Sequence, residues 1–550
     1  MPLEGFTPWP KDLAREYKAA GAWPEITIYE TLDRWVREAP LREAVVDENT
    51  RLTFGQLGRN IQRLALALHS LGIRKGDRIM IQLPNQVEFL YFFYAVAKIG
   101  AIPVLAIPQF REKDVGYLLK LTQAVAVIIP REYRGFDHAQ MIAAIWPRVP
   151  TLKHVIVVSD SVPQGMTSYH DLLERALEDD LPADFLDEFK PIPDDVAFIC
   201  LTGGTTAFPK GVPHTHNNFL GNRRQYAQRN HWGPDTITLV NKPMELYASL
   251  GRAISVLMMG GKVIIRSGAR AQETLQAIEQ EKVTEFILVP TEAVDILALP
   301  DVERYDLSSL QHLVCGISAF TPDQLQTLGR RMGAQILKAY GMTEGIVVLT
   351  LPEDPFELVL AVNGIPCCEH DDYRIVDEEG NEVPRGGEGE LVARGPHLFH
   401  GYYKAPDENQ KAFDQNGFFH TGDFAVMDEQ GYIRISGRKK DWIRRGGQTI
   451  IPLEVEEPLL SHPKIENAAI VAMPDPRLGE RACAYIQPRP GQSLTLEEVA
   501  QYLQERGLAR YKLPERIELV TKLPQKGLGK VDKKLLQEEI AQKLEAEGMI

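Results

Sequence analysis

Val196-Ala-Phe-Ile-Cys-Leu201 runs directly into Thr202-Gly-Gly-Thr-Thr-Ala-Phe-Pro-Lys210-Gly211. The apolar run reads as a strand, and the residues after it are a turn of glycine and threonine. Small residues let backbone N–H groups face an anion, the hydroxyls add donors, and Lys210 adds positive charge. Those are the parts of a phosphate cradle. The glycine spacing of a Walker A loop is absent, so the cradle is not of that kind. A plain Gly/Thr turn closing a strand is the alternative reading of the same residues.

Outward from this stretch, short apolar runs alternate with helical patterns over the first four hundred residues. Arg78–Leu83, Ala124–Ile129, His154–Val158, Lys262–Ile265 and Glu285–Val289 read as strands, and Gln56–Leu71 and Ala271–Lys282 as amphipathic helices. Strands separated by helices imply parallel sheets with helices on their faces, which makes the fold class α/β. Residues 89–108 are apolar over a membrane-spanning length, but Lys98, Gly100, Pro103 and Pro108 interrupt them. Helix, turn and strand fit that segment better than a membrane span. Near residue 437 the character changes. Glycine-rich short strands give way to the basic run Arg438-Lys-Lys-Asp-Trp-Ile-Arg-Arg445, and a compact β/α unit follows. A boundary at Gly437–Asp441 divides a large N-terminal domain of layered sheets and helices, 1–437, from a small mobile α+β domain, 438–550.

Bulk properties narrow the partners. A chain of 550 residues is long for one core and suits two or more domains. Its 44% hydrophobic and 25% charged residues are those of a folded soluble protein. A formal net charge of -14 argues against nucleic acid, whose phosphates demand a surplus of Lys and Arg. Five scattered cysteines without a CxxC pair indicate neither a zinc site nor a disulfide framework, and fit a reducing cytoplasm. Met1–Pro10 has no basic segment followed by an apolar run, so it does not read as a secretory signal. The oligomeric state is open, with a homodimer allowed.

The phosphate-loop stretch resembles that of the adenylate-forming superfamily: acyl-CoA and aryl-CoA ligases, nonribosomal peptide adenylation domains and luciferases. Further motifs follow in that superfamily's order. They are Tyr340-Gly-Met-Thr-Glu-Gly345, Gly389-Glu-Leu-Val-Ala-Arg-Gly395 with Gly401-Tyr-Tyr403, Phe419-His-Thr-Gly-Asp423, Gly437-Arg438-Lys-Lys440-Asp441, Gly446-Gly447 and Gly529-Lys530. Gly5-Phe-Thr-Pro-Trp-Pro10 and the overall length are similar to the stand-alone aryl-acid–AMP ligases of siderophore synthesis, such as 2,3-dihydroxybenzoate–AMP ligases.

The resemblance implies a reaction in two halves. A small carboxylic acid attacks the α-phosphate of ATP, giving acyl-AMP and pyrophosphate; then a thiol of coenzyme A or of a carrier protein displaces AMP. It implies that Lys530 bridges carboxylate and α-phosphate, that Glu344 holds Mg²⁺, and that Lys440 is the hinge of the small domain. Thr202, Gly203, Gly204, Thr205, Thr206 and Lys210 would cradle the phosphates. Asp423 would bind both ribose hydroxyls with Arg438 nearby, Gly316, Ser318 and Tyr340 would form the adenine surface, and Gly341, Met342 and Thr343 would belong to the same ATP site. Arg444, Arg445, Gly446 and Gly447 would meet AMP or the pantetheine arm during thiol transfer. Each has a blander counterpart: a solvated lysine for Lys530, a basic turn for Lys440, a helix N-cap for Glu344, a β-turn aspartate for Asp423.

Three departures bear on the substrate. Ala207 stands where the family has glycine. After Pro243-Met244 the His-Asn pair of aryl-acid ligases is missing, and the segment to Gly261 is about two residues short. Gln448–Glu454 is closer to acyl-CoA ligases. Met244, Leu246, Tyr247 and Ser249, with Gly316 and Gly341, are the expected pocket, and Ala248 and Leu250 add apolar lining. Glu245 reads as a solvated loop carboxylate, with an amino-substituted ring as the substrate it would otherwise suit. A short- or medium-chain acyl-CoA synthetase, a luciferase-like oxygenase and an inactive nucleotide-binding homologue are the alternatives.

Overall fold

Branched apolar runs bounded by glycine and turn residues become strands close to where the pattern places them. In the computed structural model, which describes residues 3–549 other than 183, 203–208, 269, 317–319, 447 and 527–529, the strands are Arg78–Ile81, Ala126–Pro130, His154–Val158, Lys262–Ile265 and Glu285–Leu288. The two amphipathic patterns form the helices Phe54–Ser70 and Ala271–Glu281. Thr53 caps the first of these, accepting from the Gln56 amide while Gln56 reaches back to the Thr53 amide.

Two large sheets result. A seven-stranded sheet runs in the order Gly211–Thr215, Val196–Leu201, Ile102–Leu105, Arg78–Ile81, Ala126–Pro130, His154–Val158, Thr167–Ser168. It is parallel apart from Gly211–Thr215, which pairs antiparallel with Val196–Leu201. A nine-stranded sheet has Glu43–Val46, Lys262–Ile265, Ile237–Val240, Glu285–Leu288, His312–Gly316 and Gln335–Gly341 parallel at its centre, with antiparallel edges. Helices Tyr247–Met258, Ala271–Glu281, Pro290–Leu297 and Pro322–Met332 make the crossovers.

The segment 89–108 is a core helix, turn and strand. Helix Val87–Lys98 is buried on every face except at Glu88, and strand Ile102–Leu105 follows it. A helix apolar all round belongs between layers. Burial pulls the Lys98 ammonium down to about 8, and it lies 3.8 Å from the centre of the Tyr29 ring. Among the described residues no helix is long and apolar enough to cross a membrane. All five cysteines are buried thiols.

Beyond these sheets, Asp372–Val376, Glu388–Arg394, Phe419–Met427 and Ile433–Arg438 form a four-stranded antiparallel sheet. After the single turn Lys439–Asp441 the chain enters another sheet, built from Ile443–Arg445, Gln448–Ile450, Ile465–Asp475, Gly479–Pro488 and Arg516–Leu519. Helices Pro452–Leu460, Leu496–Glu505 and Lys533–Ala546 accompany it, along with a short hairpin of Gln525–Lys526 and Lys530–Val531.

Candidate active site

Antiparallel pairing of Phe419–Met427 with Ile433–Arg438 sets Asp423 opposite Arg438. Asp423 is only 3% exposed, and each of its oxygens has a partner. The Arg438 Nε donates to Oδ1 at 3.0 Å and the Tyr340 hydroxyl to Oδ2 at 2.6 Å. Asp423 is therefore a strand residue in a charge-assisted network and not the turn aspartate that its Gly422 neighbour would suit. Burial, and then the Asp423 charge, hold the Tyr340 hydroxyl far above its ordinary pKa, so it remains a donor.

Tyr340 and Gly341 end the strand Gln335–Gly341, and the chain turns sharply through Met342–Gly345. The Gly345 amide donates to the Met342 carbonyl at 3.1 Å. Gly345 has φ +98°, and a Cβ there would meet the His397 carbonyl oxygen at 2.6 Å, so only glycine fits. No helix begins at Thr343–Glu344. Buried side chains brace this turn from the helix His216–Arg229 and the strand before it. The Asn222 amide donates to the Gly345 carbonyl at 3.0 Å, and His214 Nε2 lies 2.8 Å from the Thr343 carbonyl. Asn218 sits 3.1 Å from the other His214 nitrogen. Burial drops the His214 pKa to about 3, so the ring is neutral, donating from Nε2 and accepting at Nδ1.

Glu344 is 8% exposed, with the Tyr402 hydroxyl donating to its Oε1 at 2.7 Å. Burial pushes its carboxyl above the ordinary range, against the pull of Tyr402 and Lys210. Lys210 lies 4.1 Å over the Tyr402 ring and pairs with Glu408 at 3.2 Å. Tyr402 thus links the glutamate to the lysine that ends the phosphate loop. A carboxylate with one anchored oxygen fits Mg²⁺, which takes few protein ligands and completes its shell with phosphate oxygens and water. Neither His214 nor Tyr402 carries a signal of its role in the sequence: all five residues of Gly211–Thr215 are buried, so no alternation singles out His214.

Lys440 and Lys530 are exposed on a cleft of about 1130 Å³, which Arg438, Pro290, Val294 and Gln324 also line. Crowding by protein atoms, then the Arg438 charge, and Lys440 more weakly, bring the Lys530 ammonium down to about 8; Asp423 opposes them. The same Arg438 and Asp423 charges act on Lys440. Four residues named on sequence grounds therefore occupy one electrostatic neighbourhood.

The remaining expected site residues have local surroundings of their own. The Thr202 amide bonds the Lys210 carbonyl at 3.0 Å, tying the ends of the phosphate loop; Gly203, Gly204, Thr205, Thr206 and Ala207 lie outside the described residues, as do Ser318, Gly447 and Gly529. A Cβ on Gly316 or Gly341 would meet a carbonyl oxygen at 2.8 Å, that of Ala339 or Ile346. Arg445 is engaged in a bidentate pair with Glu515 at 3.0 and 2.9 Å, and Gly446 packs on Leu478.

At the carboxyl ends of strands from both large sheets lies a cavity of about 320 Å³. Asn85, Arg134, Lys242, Pro243, Glu245 and Glu292 line it, with others. Met244 and Tyr247 instead pack in the main core, Leu246 is the half-buried N-cap of the helix Tyr247–Met258, and Ser249 is buried beside Lys242. The reading of Glu245 as a solvated carboxylate is wrong. It is 4% exposed, because the chain turns inward from Ile237–Val240 into that helix, and burial lifts its carboxyl to about 8.

Comparison with known proteins accords with this architecture. Residues 32–403 match the AMP-binding enzyme family and residues 454–530 the AMP-binding enzyme C-terminal domain. The chain is 36% identical to the 2,3-dihydroxybenzoate-AMP ligase of Bacillus subtilis (strain 168), over 98% of this chain and 99% of that protein. It is 34% identical to a salicyl-AMP ligase / salicyl-S-ArCP synthetase of Mycobacterium tuberculosis, over 98% and 95% respectively. Among solved structures, apo MbtA of Mycobacterium smegmatis superposes with a TM-score of 0.73 at 31% identity, covering 97% of this chain and 99% of that one. ATP-bound MatB of Rhodopseudomonas palustris superposes at 0.83 with 25% identity, covering 94% and 99%. Matched over nearly its whole length, the chain belongs to the AMP-binding enzyme family and is an adenylating ligase that uses ATP.

Proposed function

We propose that the chain activates a small aryl carboxylic acid as its acyl-adenylate and hands the acyl group to a thiol, of a carrier protein or of coenzyme A. The observation that carries this reading is the meeting of Tyr340, Asp423 and Arg438 with the influence of Lys440 and Lys530 beside one cleft. Asp423, an acceptor-only carboxylate held from both sides, takes the ribose hydroxyls. Arg438 and Lys210 face the phosphates, with Thr202 and the loop after it.

The acid's carboxylate oxygen attacks the α-phosphorus and pyrophosphate leaves. Negative charge crowds there, so positioning and positive charge govern the rate more than proton transfer does. Lys530 supplies a compact charge on a long stem. Glu344, anchored by Tyr402, would hold Mg²⁺, which when bound neutralises phosphate charge. For the second half-reaction, residues 438–550 turn about Lys440, exchanging Lys530 for the face that carries Arg445 and Gly446.

Acid-dependent ATP–pyrophosphate exchange over a panel of aryl and alkyl acids tests the reading. Aryl acids should support exchange better than alkyl acids. Exchange with none of them, or with alkyl acids alone, would overturn it. Thioester formation with coenzyme A against a carrier protein then identifies the acceptor.

A further inference from the structure

Three side chains that the adenylation site does not use come together next to the turn that carries Glu344. Cys368, Asp371 and His397 place a sulfur, a carboxylate oxygen and a ring nitrogen within 4.8 Å of one another. Cys368 and His397 are buried, and the Asp371 side chain is 1% exposed. His397 Nδ1 and the His397 amide lie 3.1 and 3.2 Å from Asp371 Oδ1. Asp371 Oδ2, by contrast, is buried with no hydrogen-bond partner among the described residues. A hydrogen-bonded histidine–aspartate pair accounts for the first oxygen. It leaves the second, and the thiol beside it, unexplained, and a buried oxygen without a partner is costly.

The surroundings suit a metal ion. His397 Nε2 has the Ala22 carbonyl at 3.3 Å and the Gln225 amide at 3.4 Å. With its proton on Nε2, bonded to Ala22, the ring offers Nδ1 as a ligand, and a bond of that kind orients metal-bound imidazoles. A Cβ on Gly395 would lie 2.1 Å from Asp371 Oδ1, so glycine is what leaves the carboxylate its place. Sulfur, imidazole and carboxylate together favour zinc or a similar transition ion over Mg²⁺ and Ca²⁺, which take oxygen donors. Binding replaces the Cys368 thiol proton with the ion. Thiolate and carboxylate then balance the ion's two charges, and the loaded group is neutral, as burial demands.

We propose that Cys368, Asp371 and His397 form a structural site for a zinc-like divalent transition ion, separate from the nucleotide site. With both oxygens of Asp371 engaged, the ion has four donor atoms, the number zinc prefers. It ties the turn 368–371, where the Asp371 amide bonds the Cys368 carbonyl at 3.2 Å, to the segment that follows the strand Glu388–Arg394. That segment supports the Glu344 turn: the Phe399 amide donates to the Glu344 carbonyl at 2.8 Å. The Trp23 indole, donating to the Pro396 carbonyl at 2.7 Å, joins the N-terminal segment to the same place. The ion therefore braces the turn that holds Glu344 without touching substrate. Cysteine spacing misses such a site, because a single thiol serves it and the histidine stands 26 residues beyond the aspartate.

The test uses the full chain and cobalt as the probe, with cobalt replacing zinc during production so that the ion is present while the chain folds. About one cobalt per chain should survive desalting. It should show the thiolate-to-cobalt charge-transfer absorption that an all-oxygen site at Glu344 cannot give. Cys368→Ala and His397→Gln should lose that band and retain about tenfold less cobalt, whereas Cys367→Ala should keep both. The loaded wild type should also melt at a higher temperature than the chain produced without added metal. A wild type without cobalt or without the band overturns the proposal, as does equal melting of the two preparations. So does a band that survives Cys368→Ala or His397→Gln, or one that vanishes in Cys367→Ala. Should a variant fail to fold, X-ray absorption of the cobalt-loaded wild type decides. One sulfur among nitrogen and oxygen donors upholds the site; two sulfurs, or none, overturn it.

Discussion

The Tyr340 hydroxyl bonds Asp423 Oδ2 at 2.6 Å across 83 residues of chain, joining the end of an inner strand of the nine-stranded sheet to the four-stranded one. From the other side, Arg438 fixes Oδ1 of the same carboxylate at 3.0 Å. A carboxylate held twice presents its remaining lone pairs in fixed directions, which is what recognition of two neighbouring hydroxyls needs.

Asp423→Ala should therefore weaken the use of ATP. A hydrogen bond to a charged group is worth about 1.5–3 kcal/mol, so the KM for ATP in exchange should rise tenfold or more. Tyr340→Phe removes only one anchor and should cost less. Unchanged ATP kinetics in a folded Asp423→Ala protein would place the ribose elsewhere.

Lys440 lies in the single turn between Ile433–Arg438 and Ile443–Arg445, where the chain passes from one sheet to the next. Proline there fixes φ and should hinder rotation while leaving one pose accessible. Pyrophosphate exchange should persist in Lys440→Pro while thioester formation collapses. Equal loss of both activities would rule out the hinge.

Lys530→Ala should do the reverse, cutting exchange by orders of magnitude while supplied acyl-adenylate still reaches the thiol. A pH limb should accompany it. The free-enzyme Lys530 loses its charge as pH rises through about 8. The kcat/KM for exchange should then fall above that pH, and the residual activity of Lys530→Arg should lack the fall. A flat wild-type profile to pH 10 would show that this ammonium is not the one the reaction needs.

How far these residues were legible depended on whether the signal was local. Helix 87–98 and the strand after it follow from apolar run, lysine and proline alone. Asp423, Arg438, Tyr340 and Lys530 each stand in a short motif, so they could be named before their meeting was seen. Glu245 was named too, but as a solvated carboxylate, because its burial is set by the sheet and helix folding around it, and a glutamate in a turn otherwise favours water. Tyr402 sat inside a named motif, yet its bond to Glu344 crosses 58 residues and has no local trace. Arg445 shows the converse: a motif arginine already spoken for by Glu515, a partner no spacing rule connects to it.

The last prediction concerns the ortho-hydroxyl of the acid. An enzyme that reads a hydroxyl does so with a polar group the hydroxyl completes, and rejects the analogue that leaves it unpaired. Three side-chain amides line the 320 Å³ cavity, Asn85, Asn241 and the exposed Gln109, and both asparagines are committed. Asn85 donates to the carbonyls of Lys242 at 2.7 Å and Arg266 at 3.1 Å, while its oxygen accepts from the Met244 amide at 2.8 Å. Asn241 donates to Glu292 at 2.6 Å, and its oxygen accepts from Lys242. From Met244 to Leu250 the segment offers no amide side chain at all. Benzoate should therefore be used at least as well as 2,3-dihydroxybenzoate, with salicylate no better than either. Exchange kinetics with the three acids measure this directly. A hundredfold preference for the catechol acid, about 2.7 kcal/mol, would mean that another donor or acceptor reads the hydroxyl and that these two asparagines are not the amides to consider.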